Sequence, residues 1–343
     1  MRKFRVGLVG CGGISSAHIP ALMEAENLAV AAVCDPKEDR ARAAAEKTGA
    51  DIARDFDEMI ARPDIDAVHI LTPHFLHAPM AVAALGAGKH VLTEKPMATT
   101  LPDARKMIAA ARASAARLGV IFQNRYNPAT VALKRLVASG EGGALLGARA
   151  TVAWKREAPY YLESGWRGRM DTEGGGSLIN QSIHTLDLLS YIAGKPVSRV
   201  RGHVSTDLLD GRVDVETSCH AVAEYVGGGR IVIFTTNDYA LDAPVEIEFA
   251  CEKKRWKIVG DDLYDVTDGM TMILSGKNPT VAEKAYWGAG HAAEIRDFYD
   301  CIETGRPFLL EGAAGYPALN LVKAIQQSSA TGEWVDLDAP KEI

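Results

Sequence analysis

The chain has little of what marks a secreted, membrane-embedded or nucleic-acid-binding protein. Only five cysteines occur in 343 residues: Cys11, Cys34, Cys219, Cys251 and Cys301. They are scattered, odd in number and without metal-ligand spacing. A disulfide framework is therefore not expected, no metal site is expected, and a reducing cytoplasm is the expected setting. Nowhere do eighteen apolar residues run together, so no membrane span is expected. The first residues, MRKFRVGLVG, enter a strand pattern directly and lack the apolar core of a secretory signal. The formal net charge is −6, and the densest basic run, Lys253-Lys254-Arg255, follows Glu252 and reads as a solvated turn. With no basic stripe to neutralise phosphates, nucleic acid is not an expected partner. There is no internal repeat or low-complexity segment. At 47% hydrophobic and 24% charged the composition is that of a globular protein, and the length calls for two domains.

What is present begins with a β-branched apolar run, Phe4 to Val9, that ends in Gly10-Cys11-Gly12-Gly13-Ile14. A helix pattern follows from about Ile14 to Glu26. Strand, glycine turn and helix in this order are the context of a dinucleotide fingerprint. Gly10 permits the tight turn, Gly12 lets backbone approach a pyrophosphate, and the helix N-terminus supplies N–H groups and positive dipole. Ser15 stands where a third glycine would pack helix on strand, and it is small enough to do so. A second strand, Leu28–Cys34, ends in Asp35, placed to accept hydrogen bonds from a ribose diol and to repel a 2′-phosphate. NAD is thus favoured; Lys37 and Arg40 nearby keep NADP open. An Asp-Pro turn that caps the next helix is the alternative reading of Asp35.

The βα alternation continues to about residue 123, which implies a parallel, doubly wound sheet over residues 1–124. Ligands bind at the carboxyl ends of such strands. Gly10–Gly13, Asp35, Thr72-Pro73-His74, Lys95 and Asn124 all fall on that edge. Lys95, between Glu94 and Pro96, is either a solvated lysine or one aimed into the cofactor crevice, where it could polarise a substrate hydroxyl.

Beyond Pro128 the rhythm changes. The segment 155–171 is rich in Arg, Tyr and Trp, including Arg156, Tyr160, Tyr161, Trp166 and Arg167. Aromatic faces there suit sugar CH groups, while Arg and Trp N–H groups suit hydroxyls or a carboxylate; a domain or subunit interface is the alternative. Next comes Gly174-Gly175-Gly176, a loop, and then apolar residues at helical spacing from Leu178 to Ile192. Asn180 and His184, four apart, are expected on one face of that helix. They read as a cap and a core histidine, or as a substrate-facing pair. Long β-type runs follow (197–205, 216–225, 230–236 and 245–250), with Gly227-Gly228-Gly229 as a hairpin turn. They predict an α+β domain over residues 125–343 with a large, mostly antiparallel, open sheet. Such a face is a usual pairing surface, so a homodimer or homotetramer is expected.

Taken together, the glycine fingerprint, Thr72-Pro73 followed by His77, Glu94-Lys95-Pro96, Gly174-Gly175-Gly176 followed by His184, and the late segment HAAEIRDFYDCIETGR resemble the Gfo/Idh/MocA oxidoreductases over nearly the whole chain. The resemblance implies an N-terminal Rossmann domain and a C-terminal domain that binds substrate and forms oligomers. It implies hydride transfer between a nicotinamide and a hydroxyl-bearing carbon of a sugar, sugar acid, polyol or nucleotide sugar. Lys95 and His184 match the family's catalytic lysine and histidine. Asn180 falls where many members carry an aspartate, and an amide binds a hydroxyl but takes up no proton. Asn124 and Tyr126, within QNRYNP, resemble members acting on nucleotide-linked amino sugars. The expected substrate contacts are Lys95, Asn124, Tyr126, Tyr160, Trp166, Arg167, Asn180 and His184. The expected cofactor contacts are Gly10, Cys11, Gly12, Gly13, Ile14, Asp35, Thr72, Pro73, His74, His77, Glu94, Lys95, Asn124 and Arg167. On this reading the Gly174–Asp187 stretch is the substrate-side wall, facing Lys95 across the nicotinamide. An NAD-dependent glycosidase and a non-catalytic NAD-binding sensor are the rival readings.

Overall fold

A computed structural model describes residues 3–276 and 290–338. The chain divides into two compact units, one of Met1–Ile121 with His291–Tyr316, the other of Phe122–Gly290 with Pro317–Ile343. The late segment 291–316, which the pattern of the sequence assigns to the second domain, thus returns to the first unit.

The first unit runs β1 (Phe4–Val9), α1 (Ser15–Glu24), β2 (Leu28–Cys34), α2 (Glu38–Thr48), β3 (Asp51–Ile52), α3 (Phe56–Ala61), β4 (Ala67–Ile70), α4 (His74–Gly86), β5 (His90–Thr93), α5 (Leu101–Ala113) and β6 (Leu118–Val120). Its sheet has the order β3-β2-β1-β4-β5-β6, with the pairs parallel. This is the doubly wound topology whose order reverses between β1 and β4. Helices cover both faces, so the strands are apolar on both sides: Val6, Leu8, Val33, Val68, Ile70 and Val91 are fully buried. Local signals set several helix ends. Asp55 accepts from the Glu58 N–H at 2.8 Å to start α3, Thr100 accepts from the Asp103 N–H to start α5, and Gly49 takes a left-handed conformation after α2.

The second unit runs through a 3-10 turn at Gln123–Tyr126, α6 (Pro128–Ala138), β7 (Leu145–Ala153), α7 (Ala158–Leu162), a wide π-type turn at Ser177–Gln181 and α8 (Ile183–Ala193). Eight more strands follow: β8 (Val197–Ser205), β9 (Ser218–Tyr225), β10 (Arg230–Thr236), β11 (Glu246–Cys251), β12 (Arg255–Val259), β13 (Asp262–Asp265), β14 (Thr271–Leu274) and β15 (Val335–Asp336). The helices α9 (Gly290–Thr304) and α10 (Tyr316–Thr331) lie between β14 and β15 in the chain. The nine-stranded sheet has the order β14-β13-β12-β11-β7-β10-β9-β8-β15. Its pairs are antiparallel except β7 with β10. Alternation sorts its faces: Ile231 and Ile233 are buried, whereas Val222, Val232 and Phe234 on the other face are nearly half exposed. No helix among the described residues is long and apolar enough to cross a membrane.

His74 opens α4, with Pro73 as the preceding cap residue. One expectation needs correction. Asn180 and His184 do not share one α-helix, because the Ser182 N–H reaches back five residues to the Ser177 carbonyl at 2.9 Å. That wider turn inserts a residue before α8 starts and breaks the four-residue register. The segment leading into β9 holds this turn. Glu216 accepts from the Gly176 and Leu178 N–H groups through one carboxylate oxygen, and from the Ser177 N–H through its main-chain carbonyl.

Candidate active site

In the first unit the glycine loop leaves β1 at Gly10, whose φ of +92° and whose carbonyl neighbour Leu71 exclude a side chain. The Asp35 carboxylate braces the loop from the end of β2. One oxygen accepts from the Cys11 N–H at 2.8 Å, the other from the Lys37 N–H at 2.8 Å. Both readings of Asp35 therefore have support: it holds a turn, and each oxygen keeps a lone pair for a diol. Among the described residues, no atom beyond its chain neighbours lies within 4 Å of a Cβ built on Gly13. The loop thus leaves backbone open beside the start of α1, which fits a pyrophosphate.

Thr72, Pro73, His74 and His77 stand at the start of α4, and Glu94 and Lys95 at the end of β5. His77 straps the two together: one ring nitrogen lies 2.7 Å from the Pro96 carbonyl oxygen, the other 2.8 Å from that of Thr72. Burial pushes its pKa below the ordinary range, against the pull of the two carbonyls. The peptide joining Lys95 to Pro96 is cis.

Glu94 is enclosed. One carboxylate oxygen accepts from His18 at 3.0 Å, with His291 3.6 Å away, and the other accepts from the Lys95 N–H at 3.3 Å. Burial alone would raise its pKa, but His18 and His291 hold it well below the usual carboxylate range. Burial lowers the pKa of His18. With His18 neutral and donating to Glu94, its Nδ1 must accept, so His69 donates to it at 2.9 Å and Tyr299 donates to His69 at 2.9 Å. Every donor in this chain points toward the carboxylate beside Lys95.

In the second unit His184 lies in the first turn of α8, edge-on to Phe122 with ring centroids 5.6 Å apart. Asn180 donates from its amide to Glu173 at 2.6 Å and to the Tyr160 hydroxyl at 3.2 Å, and Gln181 donates to the same hydroxyl at 2.7 Å. Arg167 stacks over Tyr160 at 4.4 Å and over Trp166 at 4.7 Å. Tyr160, Trp166, Arg167 and Asn180 thus form one cluster. Asn124 and Tyr126 belong to the 3-10 turn. Asn124 lines a cavity of about 320 Å³ with Trp154, Leu188 and Ile247, and its side-chain oxygen is buried with no hydrogen-bond partner among the described residues. The turn is pinned to α8 by a buried, two-pronged pair, Arg125 to Asp187, at 2.6 and 2.7 Å.

Several contributors carried no signal at the level of residue spacing. His18, His69, His291 and Tyr299 are far apart in sequence, and Glu216 and Lys323 converge on the glycine loop from the segment before β9 and from α10. Lys323 donates to the Gly174 carbonyl. Glu173 could have been found, since an acid directly precedes the three glycines.

Residues 4–122 match the oxidoreductase family described as having an NAD-binding Rossmann fold, and residues 130–257 match the GFO/IDH/MocA C-terminal domain. An inositol 2-dehydrogenase of Rubrobacter xylanophilus is 31% identical over 71% of this chain and 69% of its own. The chain belongs to the Gfo/Idh/MocA oxidoreductase family. A D-glucoside 3-dehydrogenase of Escherichia coli is 28% identical over 97% of both chains. The fold is also that of the WlbA dehydrogenase from Bordetella pertussis, solved with NADH and UDP-GlcNAcA: TM-score 0.87, 29% identity, covering 98% of this chain and 100% of that one. Relatives of this Gfo/Idh/MocA chain are thus dehydrogenases of sugars, cyclitols and nucleotide sugars, and NAD is the cofactor of the family's Rossmann fold.

Proposed function

We propose that the protein is an NAD-dependent dehydrogenase that oxidises a hydroxyl-bearing carbon of a sugar, sugar acid, polyol or nucleotide sugar, with Lys95 and His184 handling the proton. The observation that carries this reading is Lys95 at the carboxyl end of β5, its own N–H held by the buried Glu94 carboxylate, in a chain of this family. When bound, the nicotinamide supplies the hydride acceptor; the protein supplies position and proton handling. The open backbone at Gly12 and Gly13 and the Asp35 carboxylate would hold the dinucleotide. His184 would accept the hydroxyl proton, a task suited to histidine as a residue type, whose unperturbed pKa lies near neutrality. Lys95 would polarise the same oxygen. Asn180, Tyr160 and Arg167 would orient neighbouring hydroxyls or a carboxylate, and Trp166 would offer an apolar face to the ring. Pairing of two copies through the face carrying Val222, Val232 and Phe234 fits its exposed apolar character.

The test is a screen of free sugars, polyols, sugar acids and nucleotide sugars, read by NADH and NADPH absorbance. Once a substrate is found, His184→Ala and Lys95→Ala should each lower turnover by about 10²-fold or more while NAD still binds. Near-normal turnover in either would remove that residue from the mechanism. Release of an aglycone with no net NADH would point instead to a glycosidase, and tight NAD binding without turnover to a sensor.

A further inference from the structure

The family pattern places an aspartate where this chain has Asn180, and the second unit holds a carboxylate against that asparagine. Glu173 is wholly buried, one residue before the glycine loop. One of its oxygens accepts from the Gly168 N–H at 2.6 Å, the other from the Asn180 amide at 2.6 Å. We propose that Glu173 is a positioning residue for Asn180, turning the amide so that its carbonyl oxygen, and not its amino group, meets a substrate hydroxyl. This rests on the reading of Asn180 as a hydroxyl-binding residue.

The donor arithmetic leads there. Gly168 presents a backbone N–H that cannot rotate into an acceptor, so the oxygen facing it must accept. An ionised carboxylate has no proton to give, so the second oxygen also demands a donor, and the Asn180 amide, 2.6 Å away, can meet it only with its amino end. The remaining amide hydrogen goes to the Tyr160 hydroxyl. Both amide hydrogens are committed, and the amide acts toward a ligand as an aspartate would, as an acceptor.

The same geometry makes the arrangement reversible. A protonated Glu173 must donate, Gly168 cannot receive, and Asn180 can do so only by exchanging its carbonyl for its amino group. Arg167 favours the ionised form and Glu216 opposes it; the charge of Glu173 is felt at the Tyr161 hydroxyl, and Lys323 in turn acts on Glu216. The net result of burial and these charges is a carboxyl pushed up to about 7.

The experiment follows the side-chain amide signals of Asn180 by nitrogen-edited NMR of the full chain, identified by their loss in Asn180→Ala, across about two pH units on either side of 7. They should titrate near 7 in the wild type and stay flat in Glu173→Gln. In that variant Gly168 claims the Gln oxygen, and its amino group forces the reversed Asn180. Kinetics use whichever of D-glucose, myo-inositol or a UDP-linked hexuronic acid turns over. Glu173→Gln should raise KM about fivefold, the worth of one hydrogen bond, with kcat nearly unchanged and with no further increase when Asn180→Ala is added. Amide signals that ignore pH in the wild type, or that titrate alike in Glu173→Gln, overturn the proposal whatever the kinetics. Titration as expected together with an unchanged KM in Asn180→Ala overturns the hydroxyl-binding reading, and the substrate role of Glu173 with it.

Discussion

The imidazole of His18 donates to the carboxylate of Glu94 across 3.0 Å, with both side chains almost wholly enclosed. His18→Ala would strand a buried charge, at a cost of about 3–5 kcal/mol in chemical denaturation. The pH dependence has a definite sign. Burial lowers the His18 pKa below 6.5, so the stability tied to its neutral form is complete above that value and is lost as pH falls. The lowered Glu94 pKa acts in the same direction below 4.5. The stability of the wild type relative to His18→Ala should therefore shrink on acidification from about pH 6.5. A difference that stays flat down to about pH 4.5 would contradict the neutral-histidine chain.

Glu173 should tilt stability the other way. Its pKa rises from 4.5 to about 7, so its contribution is complete below 4.5 and is lost as pH climbs through 7. The difference of about 2.5 units corresponds to about 3 kcal/mol. Between about pH 5 and about pH 8, Glu173→Gln should gain roughly that much relative to the wild type in urea titrations. Parallel stability curves would show that the buried carboxyl does not titrate there.

Asp35 should govern cofactor choice. Asp35→Ser removes the negative charge that would meet a 2′-phosphate, and Arg40 stands near the loop, 3.6 Å from a Cβ built on Gly12. The NAD-to-NADP ratio of kcat/KM is expected to fall by about tenfold or more. Equal weakening of both cofactors would mean that Asp35 only braces Cys11.

Two glycines should behave oppositely on substitution by alanine. A Cβ at Gly176 would sit 1.9 Å from the Glu216 carbonyl oxygen. Gly176→Ala should therefore cost more than about 4 kcal/mol or leave the chain insoluble. At Gly13 nothing beyond the chain neighbours lies within 4 Å among the described residues. Gly13→Ala should keep stability within about 1 kcal/mol yet weaken NAD binding about tenfold, read by fluorescence titration. Unaltered NAD affinity would exclude Gly13 from the pyrophosphate cradle.

Residue order alone determined the parallel sheet, the glycine turn after β1, Asp35 at the end of β2 and Lys95 at the end of β5. Each is a local consequence of strand-turn-helix chemistry, in which period and glycine placement speak within a few residues. The antiparallel runs of the second unit were legible for the same reason: alternation and the Gly227–Gly229 turn are properties of neighbouring residues. Only the tertiary structure decided that Asn180 and His184 stand on different turns, because Glu216, forty residues after Gly176, widens the backbone between them. It also brought His18, Glu94 and His291 together, and it placed Glu173 against Asn180. Whether a carboxylate or an imidazole is enclosed, and which donors reach it, depends on contacts between distant segments, and those contacts decide its charge.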